Sequence, residues 1–226
     1  MGLISKQVLI PPTEMAASLG ALLRSGKFNG DIAQTLGCVA AALALAVIFG
    51  FAGGVALHAL PRLRRALDPL LATYYAVPFF VFYPVLISFF GLSQGPVIVI
   101  AFLFAVVVML INTLNGLDRI PRVLTKVARV HHMAPLDTAF RLKLPAAAPY
   151  LFTGLKLAVA YTFIGVIASE FIMASSGLGF QIAYTYNNFD NRTMYALMLF
   201  VLALVTIVNM GLHAWEQRLL DRRGGR

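Results

Sequence analysis

Residues 95–116 read GPVIVIAFLFAVVVMLINTLNG, a run of 22 positions with no Asp, Glu, Lys or Arg. A helix crossing the hydrocarbon core of a bilayer needs about 20 mainly apolar residues, so this stretch reads as a transmembrane span. Working outward, four further segments meet the same length: roughly 33–57, 68–91, 147–173 and 193–215. The expected fold is therefore all-α and polytopic, with five transmembrane helices. The first span carries Gly37, Gly50, Gly53 and Gly54 and is expected to pack as an inner helix, since small residues let backbones approach closely in lipid.

Composition agrees with a chain that lives in a bilayer. Of 226 residues, 60% are hydrophobic and 12% charged, against about 25% charged in soluble domains. The net charge of +9 lies in short gaps between apolar runs and forms no aromatic-interleaved groove, which argues against nucleic acid. Cys38 is the single cysteine, so no intrachain disulfide forms. Met1 to Pro12 is too short and interrupted for a cleavable signal.

Lys and Arg in loops are retained in the cytoplasm, which sets the expected orientation. Arg62, Arg64 and Arg65 follow the first span. Arg119, Arg122, Lys126, Arg129, Arg141 and Lys143 follow the third, and Arg218, Arg222, Arg223 and Arg226 the fifth. The other side holds Lys6, Arg24, Lys27 and Arg192. The C-terminus is thus expected inside and the N-terminus outside. An outside start implies either a missing first helix or an interfacial helix over 13–28, where Met15, Leu19, Leu22 and Leu23 have helical spacing; the second is the expectation. The domains expected are an external segment 1–32, a transmembrane domain 33–215 with a loop at 118–145, and a basic tail 216–226.

That loop is long and patterned. Leu124, Val127, Ala128 and His131 fall on one helical face, and Leu136, Ala139, Phe140 and Lys143 on another, with Pro135 placed to open the second helix. Its end, Leu142-Lys143-Leu144-Pro145, resembles the cytoplasmic signature of the binding-protein-dependent permeases of ABC importers. That signature is Glu-Ala-Ala, three residues, Gly, nine residues, an aliphatic residue, any residue, then Leu-Pro. Counted back, Lys126 stands at its Glu, Val127 and Ala128 at its two Ala, and His132 at its Gly. The flanks resemble the sulfonate, nitrate and taurine branch: Asn112-Thr113 with Gly116 before the loop, Pro145 to Tyr150 with Thr153-Gly154-Leu155 after it, then Ser169-Glu170 and Ser176 to Gly179. The run from Ile10 to Thr35 with Pro11-Pro12 also resembles that branch, so the likeness spans nearly the whole chain.

The resemblance implies a methionine-importer-like permease core of five spans in a bacterial inner membrane, multi-pass, with a cytoplasmic C-terminus. It implies that residues 126–134 form a coupling helix seated in an ATPase subunit, through Lys126, Val127, Ala128, Arg129, His131, His132, Met133, Leu144 and Pro145. Implied partners are an ATPase dimer, a second permease subunit expected to be identical, and a soluble substrate-binding protein. ATP and magnesium belong to the ATPase, and no cofactor is expected on this chain. The solute expected is a small organic or inorganic anion such as a sulfonate, taurine or nitrate. An aromatic compound or vitamin precursor is the alternative.

Polar groups inside spans need separate accounts. Lys156 is close enough to the cytoplasmic end to snorkel. Glu170, fourteen positions on, lies roughly 20 Å further along the axis, too far to pair with it. Glu170 is expected to hydrogen-bond structurally, to cap the Gly-rich turn that follows, or to face a translocation path. Tyr74, Tyr75, Phe79 and Tyr83, with Pro78 and Pro84 among them, are candidates for an aromatic-lined path; packing is the plainer role for any one ring. Asn112 is a further polar candidate, with an interhelical hydrogen bond as its default. Residues 175–192 are expected to make an external turn and short helix for a binding protein to press on.

Ser25-Gly26-Lys27-Phe28 lacks the leading Gly and the trailing Ser or Thr of a phosphate-binding loop. His58, His131, His132 and His213 form no metal-spaced set with carboxylates, and no nucleophile has a paired base. An enzyme is not expected. Two rivals remain at this point: an ion-coupled secondary transporter, which calls for inverted repeats and several buried carboxylates, and a non-transporting membrane scaffold.

Overall fold

Lipid offers backbone amides no partner, so long apolar runs must close their hydrogen bonds as helices. The computed structural model describes residues 10–224, leaving residues 1–9 of the expected N-terminal segment, with Lys6, and Arg226 of the tail outside it. The described chain comprises α1 (Pro12–Ser25), α2 (Asn29–Ala59), α3 (Pro61–Thr73), α4 (Tyr83–Phe90), α5 (Gly95–Asp118), α6 (Arg122–Val130), the single turn α7 (Pro135–Thr138), α8 (Leu144–Met173), α9 (Leu178–Asn187) and α10 (Asn191–Gly224). Two 3₁₀ turns, Tyr74–Ala76 and Phe79–Phe82, join α3 to α4, and a π turn, Ala139–Lys143, joins α7 to α8.

Among the described residues four helices are long and apolar enough to cross a membrane, and a fifth span exists if the bent α3–α4 pair counts as one. The expected continuous span at 68–91 is therefore broken: its two arms, Pro61–Ala76 and Phe79–Phe90, meet at 87°. The cause is local. Val77, the residue before Pro78, is forced into the extended region at φ −76° and ψ 119°, and Pro78 has no amide to continue the ladder. The Tyr74 hydroxyl donates to the Leu103 carbonyl of α5 at 2.9 Å, tying the elbow to the bundle.

α5 is the central helix, flanked by α2 and α8. The α2 face that meets it is one stripe at helical spacing, Thr35, Cys38, Val39, Ala42, Ala46, Gly50, Gly54 and Leu57. At Gly54 an added Cβ would lie 2.6 Å from the Thr113 Cβ, and at Gly50 2.6 Å from the Val106 carbonyl, so these two positions need glycine for the close approach. The remaining face carries exposed Ile48 and Phe49. Ala33, Gly37, Ala40 and Ala44 are exposed on that face as well, so small residues line α2 on both sides while this chain covers only one of them.

Pairing fixes direction. Gly54 meets Thr113 late in both helices, so α2 and α5 run parallel. Gly165 meets Ala101 and Gly154 meets Asn112, so α8 runs back. The turn after α2, the α5–α8 loop and the far part of α10 therefore share one end of the bundle, and among the described residues Arg62, Arg64, Arg65, Arg119, Arg122, Lys126, Arg129, Arg141, Lys143 and Arg218 gather there. α1 is helical over nearly the interfacial segment expected and lies along α10, with Arg192 donating to Ser18 at 2.9 Å.

Candidate functional site: the basic loop and the buried polar groups

The first helix of the basic loop starts and stops earlier than expected. α6 spans Arg122–Val130 rather than 126–134, because Pro121 fixes its start and cannot accept a preceding turn. His131 and His132 form the turn after it, and Met133 lies beyond. The two faces also divide differently from the sequence grouping. Ala128 is 5% exposed and turns inward with half-buried Leu124, whereas Val123, Val127 and Val130 are 62%, 41% and 75% exposed. Leu136 and Phe140, at 72% and 65%, continue this uncovered apolar surface. Lys126, Arg129 and His131 are exposed around it, and Leu144 and Pro145 open α8 half-buried.

His132, at the position where the resemblance has Gly, adopts φ +48°. The turn retains the left-handed backbone while the residue carries a Cβ, which costs about 1 kcal/mol or more. His132→Gly is expected to raise the melting midpoint of the detergent-solubilised chain by roughly 2–4 °C. An unchanged midpoint would remove strain from the account of this turn.

From Pro135 the chain stays helical through the π turn to Met173, 39 residues in all. The second half of the loop is therefore a rigid extension of α8. Where the loop meets the bundle, Arg64 forks onto Asp118 at 2.8 and 2.7 Å, and His58 Nδ1 sits 3.2 Å from the same carboxylate.

At the opposite end, Glu170 is 1% exposed and lies within a polar cluster joining α2, α8 and the start of α9. Its carboxylate accepts from the Thr35 hydroxyl at 2.9 Å and from the Gly179 amide at 2.9 Å. Thr35 Oγ1 in turn accepts the Leu178 amide, and Asp31 accepts the Gly177 amide and the Gln181 side chain at 2.9 and 3.0 Å. Gln34 donates to Ser176. The first amides of α9 thus find acceptors on two other helices, which is an N-cap built in three dimensions. Gly177 has φ +103°, and a Cβ there would collide with the Glu170 carboxylate. Of the sequence expectations for Glu170, both structural hydrogen bonding and capping of the Gly-rich turn are seen, and the carboxylate also borders a polar crevice of about 260 Å³ with Gln34, Ser93, Gln94, Ser175 and Ser176.

The other path candidates separate. Phe79 and Tyr83 are buried among Val97, Ile100 and Phe163 as core, and Tyr74 is committed to Leu103. Tyr75 alone of the four is open, 49% exposed, with its ring 5.8 Å from Tyr161. In a continuous helix Tyr75, Phe79 and Tyr83 would share one face; the elbow at Pro78 separates Tyr75 from the other two. Asn112 donates to the Val108 carbonyl of its own helix at 2.8 Å and packs on Gly154, so its bond is intrahelical. Lys156 has a partner on another helix: Nζ lies 2.6 Å from Glu216 of α10, and His213 lies 3.5 Å from the same carboxylate.

Glu216 fell one residue beyond the expected last span and was grouped with the basic tail. An acid at the very end of the last span, with a single intramembrane lysine to pair it, is the available signal. Asp31 and Thr35 gave none, since a polar helix start is ordinary. Among the described residues no three of His, Cys, Asp and Glu gather as metal ligands would.

The profile of the binding-protein-dependent transport system inner membrane components matches residues 46–223. The chain belongs to that family. It is 33% identical over 171 residues to the nitrate import permease protein NrtB of Leptolyngbya laminosa, covering 76% of this chain and 61% of that one. It is 32% identical over 210 residues to the bicarbonate transport system permease protein CmpB of Synechococcus elongatus, covering 88% and 73%. To the taurine transport system permease protein TauC of Escherichia coli it is 25% identical over 227 residues, covering 98% and 82%. Among solved structures it is similar to a chain of the MetNI methionine ABC transporter in an inward-facing conformation, with a TM-score of 0.65, 21% identity, and coverage of 84% of this chain and 92% of that one. That likeness establishes the shared fold. The family member described here is a multi-pass membrane protein of the branch that the sequence resembles, and it spans 61% of the length of the nitrate relative.

Proposed function

We propose that this chain is the permease subunit of an ATP-driven importer of a small anion. The observation that carries the reading is the uncovered apolar stripe Val123, Val127 and Val130 on α6, continued by Leu136 and Phe140 on the segment that runs without a break from Pro135 into α8. In water such a stripe gains by burial in a partner's groove, and a helix running unbroken into a span transmits the partner's movement as a rigid body. An ATPase dimer is the partner, a second copy of the chain completes the path, and ATP and magnesium stay on the ATPase. In this reading the basic end is cytoplasmic and the C-terminus lies inside. The opposite end presents Tyr184, Tyr186 and Phe189, all exposed around α9, to a soluble substrate-binding protein. Nitrate, bicarbonate and taurine in the names of relatives share small size and an anionic oxygen-bearing group, which supports the solute class.

The test is affinity purification of the tagged chain from native membranes, beside a Val127→Glu variant. Val127 is the suitable site because it faces out; Ala128→Glu would bury a charge within the loop and report on folding. An ATPase subunit recovered with the natural chain, and reduced at least tenfold with a variant that melts at the same temperature, is the expected result. No ATPase with an intact natural chain would end the importer reading.

A further inference from the structure

At the basic end, the last turns of α2 and α5, the first turn of α6 and the π turn enclose a crevice of about 520 Å³. Its walls are largely apolar, with Phe51 and Val55 from α2, Leu117 from α5 and Phe140 from the π turn, and Arg122 and Lys143 bring positive charge into it. Among the described residues neither cation has an acidic partner. The neighbouring Asp118 is taken by Arg64 and His58, and Asp137 pairs with Arg141 at 3.2 Å. The first turn of α6, which borders the crevice through Arg122 and Thr125, has neither an acidic residue nor a side-chain cap, so its amide dipoles add to the positive field.

The position matters as much as the charge. The α2 and α5 walls belong to helices apolar enough to lie in hydrocarbon, while the α6 wall belongs to the basic loop at the bundle end. One cavity thus joins the acyl region to the headgroup level. Val55 is exposed and Phe140 opens outward, so the crevice is accessible from outside the chain.

We propose that this crevice is a binding site for one anionic glycerophospholipid of the adjoining leaflet, an acyl chain lying along Phe51, Val55 and Leu117 and the phosphate meeting Arg122 and Lys143. A small transported anion has the charge but nothing to fill the apolar walls. A zwitterionic phospholipid fills the walls but carries its own cation to the Arg122 and Lys143 side. An anionic lipid matches both features, and by bridging α2 to α6 it would brace the loop against the bundle.

The test is native mass spectrometry of the full chain released from nanodiscs of equal phosphatidylcholine and phosphatidylglycerol. Retention of one phosphatidylglycerol in preference to phosphatidylcholine is expected. In the Arg122→Gln/Lys143→Gln double variant that retention should fall roughly fivefold for each cation removed. Val55→Trp, which fills the crevice from α2 and leaves the loop charges in place, should lose the lipid as well. Arg141→Gln, outside the crevice, should keep it. Equal retention of the two lipids would overturn the proposal. So would retention indifferent to both crevice changes, or release of the lipid by millimolar nitrate or taurine, which would assign the crevice to a solute. None of these outcomes depends on whether an ATPase binds the loop.

Discussion

Glu170→Ala is expected to cost about 3 kcal/mol or more of stability and to open the turn before α9. Removing the carboxylate strands the Thr35 hydroxyl and the Gly179 amide in a region that is 0–1% exposed at Thr35, Ser169 and Glu170, and each buried donor left unpaired costs about 1–3 kcal/mol. Thr35 is also the acceptor for Leu178, so disturbing its hydroxyl spreads the loss to the first amide of α9. Glu170→Gln retains one carbonyl acceptor and should fall between the two. The chain supplies its own probe, because Cys38 is its single cysteine, is 1% exposed, and borders the same crevice as Glu170. Maleimide labelling of Cys38 in membranes should be slow in the natural protein and markedly faster in Glu170→Ala. A variant that melts with the natural protein and keeps Cys38 unreactive would show that the cap does not hold this end together.

The second large effect is expected at the opposite end of α8. Lys156 and Glu216 approach to 2.6 Å with side chains only 28% and 9% exposed, so removing either leaves a poorly solvated charge. Lys156→Met or Glu216→Leu alone should destabilise by about 3 kcal/mol, whereas the two together should return to within about 1 kcal/mol of the natural protein. His213, 3.5 Å from Glu216, softens the lysine deletion more than the glutamate deletion, so Glu216→Leu should be the worse single change. Thermal melting of the four proteins in detergent closes the cycle. Additive losses, with the double variant the least stable, would mean that the contact is not an energetic pair. The structural consequence of the pair is clear from α10: it packs lightly, only 11% of its apolar window being buried, so this bond is a principal tie between its far part and α8.

These two sites mark the limit of what could be read along the chain. Residues 95–116 carry no charge over a length that spans a bilayer, and backbone amides in lipid allow only a helix there, so the helical state and length of this span follow from local composition, and Arg and Lys mark the loops that gather at one end. The Leu142-Lys143-Leu144-Pro145 ending and the helical spacing of Leu124, Val127, Ala128 and His131 likewise point to an amphipathic loop before α8, though not to Val123 and Val130. The sequence placed its helix four residues late and joined Val127 to Ala128, because a nine-residue helix has too few turns to reveal which apolar residue faces in.

Tertiary structure alone decided the partners. Glu170 meets Thr35, 135 positions away, and Lys156 meets Glu216, 60 positions away. Which side chains face each other across helices depends on the rotation of each helix and its distance from its neighbour. Here Gly50, Gly54 and Gly165 set both by letting backbones touch α5. The 87° elbow at Val77-Pro78 belongs to the same class: proline permits a break, but the hydroxyl of Tyr74 on Leu103 selects its direction, sending Phe79 and Tyr83 into the core and leaving Tyr75 outside. Hydrophobic length is a property of a segment and can be read from it; the pairing of polar groups is a property of a packed bundle, and no segment contains it.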